Sequence, residues 1–573
     1  MRLRLAFLLI AGVSAMPAMG QALAQTIAQA QAEKPYRKHI IAAAHPLAVE
    51  AGLAVLREGG SAADAVVAVQ MVLALVEPQS SGLGGGALAL SFNHASREVL
   101  AWDGRETAPA AAGPDLFLGQ DGKPMPMPEA GVGGRAVGVP GAVRMLEAMH
   151  RAQGKLSWDR LLAPAIRLAE AGFPVSARLS AAISADGDRL RRQPTARAYF
   201  FLPDGAPLPP GHMLVNHPLA ETLRAIAAGG AYALLRGAIA SDIATVVRND
   251  PNPGLINTDD LVTITARARP AVCGPYRALM VCGMGPPSSG GIAVLQILGV
   301  LGHFNLQGLD PSGVDATHLL IEAEKLAYAD RALYSADSDF VPVPIRGMLD
   351  PAYLTARAQL IDIDRANPAP RAGNPDFRDP GMAPALPQPE HGTSQIVAID
   401  DDGNAVSMTT TVQDNFGARL MVRGLLLNDA MTDFAFTPEI GGHPVANRVE
   451  GGKRPRSSMS PTLVFSREGE LRIAAGAQGG SRIPGFMAQV LMRMIDFAMT
   501  PQQALAAPHA QTTGVATELE TGPLAADLAE RLRARGQTVT VLALDSGQQA
   551  VVVTPEGMIG ASDPRRDGAV AGD

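Results

Sequence analysis

Residues 391–411 read HGTSQIVAIDDDGNAVSMTTT, and this stretch decides the fold. Apolar residues alternate in SQIVAID and again in AVSMTTTV. Between them DDGN supplies Asp402 and Gly403, a pair that tight turns favour, so the pattern predicts a β-hairpin. Immediately upstream, residues 364–390 carry seven prolines and almost no apolar period, which reads as an exposed linker. Thr393 therefore stands where an exposed linker enters the first strand of a sheet. Gly392 leaves the peptide carbonyl before it open to attack by the threonine hydroxyl. Cleavage there would expose an N-terminal threonine, whose α-amine, with an unperturbed pKa of about 7.7–8.0, takes the hydroxyl proton at neutral pH.

Downstream of the hairpin, GLLLNDA, TLVFS, LRIAAGA, TVTVLAL and QAVVVTP read as further strands. Upstream the period changes. Residues 47–58 (LAVEAGLAVLRE) repeat apolar residues at helical spacing, Gly59-Gly60 stops that helix, and Ser61 with Asp64 opens a second one as a capping box. The second helix, SAADAVVAVQMVLALVE, is apolar on nearly every side and should be buried. SSGLGGGALALSF follows as a glycine-dense turn running into a strand. It lacks the Lys-Ser/Thr end of a phosphate loop and precedes a strand, so it reads as a close-packed backbone turn. Residues 133–360 are mostly helical by spacing, except ARPAVCGPYRALMVCGM, which reads as two strands around a Gly-Pro turn. The chain thus runs from a helix-rich half, through the linker, into a strand-rich half.

Composition narrows the function. The 573 residues are 47% apolar and 18% charged, which excludes a disordered chain and suffices for several cores or one large layered domain. A net charge of −7 offers no basic surplus for a phosphate backbone, so nucleic acid is not an expected partner. Cys273 and Cys282 build neither a disulfide framework nor a zinc site; their spacing permits a bridge without requiring one. No HExxH, GxSxG or Rossmann GxGxxG occurs. Arg2 and Arg4 before an apolar run, then Ala22-Leu23-Ala24, read as a signal peptide over residues 1–24 with an exported mature chain, periplasmic or secreted and no longer held at a membrane.

Several motifs in register carry a resemblance. SGLGGGALAL, WDGRETAPAA, GGRAVGVPGAV, GPPSSGGIAVLQIL, EAEKLAYADR, HGTSQIVAIDDDGNAVSMTTT, LLNDAMTDF, KRPRSSMSPT and AGAQGGSRI follow one another along nearly the whole mature chain, which resembles the gamma-glutamyltranspeptidase family. The resemblance implies an α+β fold, the four-layer αββα architecture of N-terminal-nucleophile hydrolases. It also implies a proenzyme cleaved between Gly392 and Thr393 into residues 25–392 and 393–573, which stay together as a heterodimer. It makes Thr393 the nucleophile and Thr411 a second threonine whose hydroxyl orients the first. Gly479 and Gly480 match the pair whose amides form an oxyanion hole. Arg105, Ser457 and Ser458 match the groups that hold the substrate α-carboxylate, and Asp433 and Gln413 match those at its α-ammonium. The implied substrates are a small γ-glutamyl amide such as glutathione and, as acceptor, water or an amino acid or peptide amine. No cofactor and no metal are implied.

Two positions depart from the family pattern, Gln413 in place of Asn and Ala430 in place of Gln or Glu. Ala430 accepts no hydrogen bond, so the ammonium loses a partner, at about 1.5–3 kcal/mol for a bond to a charged group. Residues 434–456 resemble a shortened substrate lid without tyrosine, which implies an open acceptor side. These departures keep open an acylase acting on glutaryl or β-lactam side chains. An uncleaved exported binding protein is the other alternative.

Overall fold

A computed structural model describes residues 35–386, 392–514 and 516–573, of which Tyr36–Asp573 form one compact unit. The signal peptide and residues 387–390 of the linker lie outside the described residues.

Two antiparallel sheets dominate. The larger is built from β1 (Ile40–Ala43), β2 (Gly86–Asn93), β3 (Glu98–Gly104), β4 (Arg267–Pro270), β7 (Ser394–Ile399), β8 (Ala405–Thr411) and β13 (Ala569–Gly572), in the order β13-β1-β7-β8-β2-β3-β4. The smaller is built from β5 (Val272–Tyr276), β6 (Leu279–Gly283), β9 (Thr462–Phe465), β10 (Leu471–Gly476), β11 (Gln549–Thr554) and β12 (Gly557–Ser562), in the order β12-β11-β10-β9-β6-β5.

Strand period two explains the layering. Ile40, Ala42, Leu88, Leu90, Val397 and Ile399 of the larger sheet meet Leu463, Phe465, Ala474 and Val551 of the smaller one in a core between the sheets. The alternate residues Ile41, Ala43, Ala87, Ala89, Ile396 and Ala398 face outward. They pack against helices that include α1 (Pro46–Arg57), α2 (Ala62–Val76), α3 (Ala142–Gln153) and α4 (Trp158–Ala171). On the far face of the smaller sheet, Val281, Val464, Ile473 and Ala475 pack against α6 (Gly290–Leu301), α7 (Val314–Tyr334) and α8 (Ile483–Asp496). Helix, sheet, sheet, helix is the expected αββα order.

The signals around α2 hold as read. Ser61 Oγ accepts from Asp64 N at 3.1 Å, and Asp64 Oδ2 accepts from Ser61 N at 2.9 Å. Every α2 residue except Ala74 is buried. The glycine-dense turn is close-packed: a Cβ on Gly85 would fall 2.0 Å from the Thr411 carbonyl oxygen, so only glycine lets this turn meet the end of β8.

Three readings need correction. Beyond the strands read in it, the helix-rich half supplies β1 and β3, so it contributes six strands, β1 to β6, to the two sheets. Gly274-Pro275 is not the turn. Both residues lie inside β5, and the chain reverses at Arg277 and Ala278, with Tyr276 paired to Leu279. Proline is tolerated there because β5 is an edge strand. Cys273 stands directly opposite Cys282 across this hairpin, and the two are bonded. The linker is largely exposed over 364–386 but anchored, with Ala366, Ala383 and Ala385 buried.

Asp64 ties three distant backbone amides together, since its Oδ2 also accepts from Lys155 N at 2.8 Å and Leu156 N at 3.1 Å. Asp64→Ala should therefore destabilise the fold by about 2–4 kcal/mol through buried donors left without acceptors. An unchanged denaturant midpoint and slope would show that these amides find other partners.

Candidate active site

The register of the hairpin builds the centre of the site. In the β7–β8 ladder Thr410 pairs with Ser394, so the next pair outward sets Thr411 across from Thr393 at the open end of two central strands. Both threonines are buried. Thr411 Oγ1 donates to the Gly392 carbonyl oxygen at 2.5 Å and accepts from Gln413 N at 2.7 Å. In the uncleaved chain, then, the second threonine holds the carbonyl of the bond expected to break. The resemblance implied the Thr393 hydroxyl as its partner. The difference follows from connectivity, because an intact peptide keeps that carbonyl within reach.

From Thr411 the polar path continues to a buried ion pair. Gln413 Nε2 donates to Asp433 Oδ1 at 2.6 Å, and Arg105 Nη2 donates to Asp433 Oδ2. Arg105 Nη1 also donates to Glu106 Oε2 at 2.8 Å, and its Nε to the Pro455 carbonyl at 3.4 Å. Asn447 clasps the site from behind, donating to the Asp433 carbonyl at 2.7 Å and accepting from Arg456 N at 2.9 Å. Burial pushes the Glu106 carboxyl above its ordinary range, and Arg105 opposes that shift. Beside Asp433, Asp429 is pushed well above the carboxylate range by burial, then by the Asp414 charge. Ala430 is fully buried next to it.

Ser457 and Ser458 follow Pro455, whose carbonyl Arg105 contacts. Their loop is pinned to the turn before α6, with Ser457 N donating to the Pro287 carbonyl at 3.0 Å and Ser289 Oγ to the Ser457 carbonyl at 2.8 Å. Ser458 Oγ accepts from Arg331 Nη2 at 2.5 Å, and Arg331 Nε donates to Ser289 Oγ at 2.8 Å. Arg331, on α7, thus brings a further guanidinium to the loop of Ser457 and Ser458. Its motif EAEKLAYADR was visible in the sequence, but nothing in helical spacing marks which of its residues turns toward the serines.

Gly479 and Gly480 lie on the turn between β10 and α8. Gly479 takes φ +121°, and a Cβ there would come within 2.9 Å of the Phe486 ring, so the turn needs glycine. Just before the turn, Gly476 at the end of β10 packs closely on the Gln395 side chain of β7. Residues 434–456 contain one short hairpin, Glu439–Ile440 with His443–Pro444, whose tip is exposed. Among the described residues no cluster of His, Cys, Asp or Glu is arranged to hold a metal.

Comparison with known proteins places the chain in one family. The family model described as Gamma-glutamyltranspeptidase matches residues 48–573. The chain is 36% identical over 544 residues to a glutathione hydrolase proenzyme of Bacillus subtilis (strain 168), covering 93% of this chain and 91% of that protein. It is 35% identical over 541 residues to the glutathione hydrolase proenzyme of Escherichia coli (strain K12), covering 92% and 90%. A cephalosporin acylase from Bacillus halodurans superimposes with a TM-score of 0.82 at 27% identity, covering 94% of this chain and 96% of that one.

The hydrogen bond on Gly392 makes a kinetic prediction. Thr411→Ala should slow the appearance of fragments split at residue 393 by about tenfold or more, because a donor that polarises the attacked carbonyl is gone, while Thr411→Ser should retain most of the rate. Cleavage of Thr411→Ala at the wild-type rate, followed by denaturing electrophoresis, would show that the contact is incidental.

Proposed function

We propose the function on one established premise: this chain belongs to the gamma-glutamyltranspeptidase family. It is an enzyme made as a proenzyme, a γ-glutamyltransferase and glutathione hydrolase. The observation that carries the assignment of residues is the continuous path from the Gly392 carbonyl through Thr411 and Gln413 to the buried Asp433–Arg105 pair. It joins the bond to be cut with a paired anion and cation suited to an α-amino acid head.

Maturation begins when the Thr393 hydroxyl oxygen attacks the Gly392 carbonyl, polarised by Thr411. The acyl group passes from nitrogen to oxygen, and water hydrolyses the resulting ester. Gly392 becomes a carboxylate and Thr393 a free α-amine. In turnover that amine takes the hydroxyl proton and the oxygen attacks the γ-carbonyl of the substrate. Negative charge developing on the carbonyl oxygen is met by the amides of Gly479 and Gly480, fixed donors that no side chain obstructs. The leaving amine departs with the proton, and water or an acceptor amine then resolves the γ-glutamyl ester. At the other end of the substrate, the α-carboxylate takes Arg105, Ser457 and Ser458, and the α-ammonium takes Asp433 and Gln413. A planar guanidinium matches the carboxylate fork.

Strands from both sides of residue 392 alternate in the larger sheet, with β1 between β13 and β7 and β8 against β2. This interleaving supports the reading that the two fragments stay together as a heterodimer after cleavage. Export fits the Cys273–Cys282 bond, since disulfides persist in oxidising compartments, and no helix among the described residues is long and apolar enough to cross a membrane.

A second reading draws on the acylase neighbour and on Ala430, which removes an acceptor from the ammonium subsite. On that reading glutaryl and related acyl groups are substrates too.

Two measurements test these assignments. Thr393→Ala should remain a single chain without activity, whereas Thr393→Ser, which keeps hydroxyl and amine, should split and retain some turnover; a Thr393→Ala protein that still splits at 393 overturns self-cleavage. The ratio of kcat/KM for a γ-glutamyl anilide to that for the matching glutaryl anilide separates the two substrate readings. Ala430→Gln should raise that ratio by about tenfold or more if one charged hydrogen bond returns in the transition state. A wild type that already rejects the glutaryl anilide by several decades, with no gain from Ala430→Gln, rules out the acylase reading.

A further inference from the structure

Glu77 ends α2 and is completely buried, yet no step described above uses it. Its Oε2 accepts from Ser394 Oγ at 2.8 Å, and Ser394 is the residue after the nucleophile. Ser394 in turn accepts from Ser81 Oγ at 3.0 Å. The Glu77 backbone carbonyl accepts from the Ser80 and Ser81 amides at 2.9 and 3.2 Å, so the carboxyl is fixed at both ends of its short tether.

The other carboxylate oxygen leads away from Thr393. Arg178, on α5 (Ala177–Ala185), brings Nε to 3.9 Å from Glu77 Oε1 and donates from Nη1 to Asp545 Oδ2 at 3.0 Å. Asp545 is gripped on both oxygens by Arg566, from Nε at 3.0 Å and Nη2 at 3.1 Å. The remaining nitrogen of Arg566 donates to Gln478 Oε1, and Gln478 immediately precedes the Gly479-Gly480 pair. Gln478 N donates to the Ser546 carbonyl at 2.7 Å, which locks the same turn to the segment that carries Asp545. One chain of charged contacts thus runs from the residue beside the nucleophile to the residue beside the oxyanion amides.

We propose that Glu77 is a positioning residue, which holds the strand headed by Thr393 in register with the Gly479-Gly480 turn through Arg178, Asp545 and Arg566. Nucleophile and oxyanion donors lie on different sheets, β7 in the larger and the turn after β10 in the smaller. Their relative placement must hold to a fraction of an ångström for attack and charge stabilisation to coincide. The hydrophobic effect between the sheets is non-directional, whereas hydrogen-bonded Arg–carboxylate pairs such as Arg566 on Asp545 fix direction.

The charges facing Glu77 make the device sensitive to pH. Burial pushes its carboxyl up to about 7, Arg178 and Arg566 pull it down, the Ser394 hydroxyl pulls it down, and Asp567 pushes it up. Asp545 is held low, at about 2, with Arg566 and Arg178 overcoming the effect of its burial. Glu77 is therefore the member that changes charge near neutrality. Protonated, it loses its attraction for Arg178 and slackens the link.

The inference rests on Thr393 as the nucleophile, and the experiment separates the two. In the mature wild-type enzyme, protonation of Glu77 and of the Thr393 amine both lower kcat, so the acid limb of log kcat should be steeper than one proton near neutral pH. Glu77→Gln keeps an acceptor for Ser394 but cannot ionise. It should lower kcat at pH 8.5 by about fivefold or more, leave KM within about twofold, and reduce the acid slope to one proton. Combined with Arg178→Met, it should lose no more than the larger single loss, since both cut one link. Ser394→Ala breaks the contact from the other side and should match the kcat loss, so the test stands even if a Glu77 variant fails to fold. Wild-type kcat and slope in Glu77→Gln, or in Ser394→Ala, overturns the relay, as do losses that multiply in the double variant. Thr393→Ala, run alongside, reads the nucleophile alone: activity there overturns that assignment, whereas an inactive Thr393→Ala beside a normal Glu77→Gln profile overturns only the relay.

Discussion

The hydrogen bond from Thr411 Oγ1 to the Gly392 carbonyl is the contact on which the site depends. It exists because two threonines, eighteen residues apart in sequence, meet across the open end of a hairpin whose far end is the Asp402-Gly403 turn. Side chains on a strand alternate faces, so a slip of one residue in that turn would send Thr411 to the opposite face of the sheet. Turn chemistry at one end of the ladder therefore fixes the geometry around Gly392 and Thr393 at the other. Asp400 secures the turn by accepting from Asp402 N and Asn404 N at 3.0 Å each.

The proposed nucleophile stands at the head of a central strand, which demands a particular kind of body. Strand β7 is covered on both faces and paired on both edges, so it has no freedom to fray when the peptide before it is cut. The binding groups come from elsewhere in the chain. Arg105 follows β3, Asp433 ends a 3-10 turn (Ala430–Asp433) and Ser457 lies on a loop, both between β8 and β9. Irregular backbone inside a protein must find its hydrogen bonds locally, and here side chains supply them: Asn447 on the Asp433 carbonyl, and Ser288 and Ser289 on the Ser457 loop. These polar clasps let buried loops present charged side chains at fixed positions.

How much of this was legible in the sequence depended on whether the deciding interaction was local. The α1–α2 pair, the capping box at Ser61 and Asp64, the DDGN hairpin and the strands after it were readable, because each rests on residues a few positions apart. Strand β1, four residues covered on both faces, shows no alternation to detect, and the Arg277-Ala278 turn carries no Gly or Pro to announce it. The site divided in the same way. Gly392 and Thr393 stood at a composition boundary, but a Gly-Thr pair marks nothing alone, and the resemblance singled them out together with Arg105, Asp433, Ser457, Ser458, Gly479 and Gly480. The partners of those residues were not readable. Arg331 reaches Ser458 across 127 positions, and Glu77 reaches Ser394 across 317, distances over which only the folded chain brings groups together. Thr411 came from the resemblance as well; its place opposite Thr393 follows from the register of the folded hairpin, and its choice of the Gly392 carbonyl depends on the peptide being intact.

The central claim is that Thr393 itself carries the acyl group, and rapid acid quench during turnover of a γ-glutamyl anilide tests it most directly. Intact-mass analysis of the quenched protein should show the fragment beginning at Thr393 heavier by one γ-glutamyl group, with peptide mapping placing the adduct on its first residue. Steady turnover with no adduct on that fragment, or an adduct mapped to any other residue, would contradict the account.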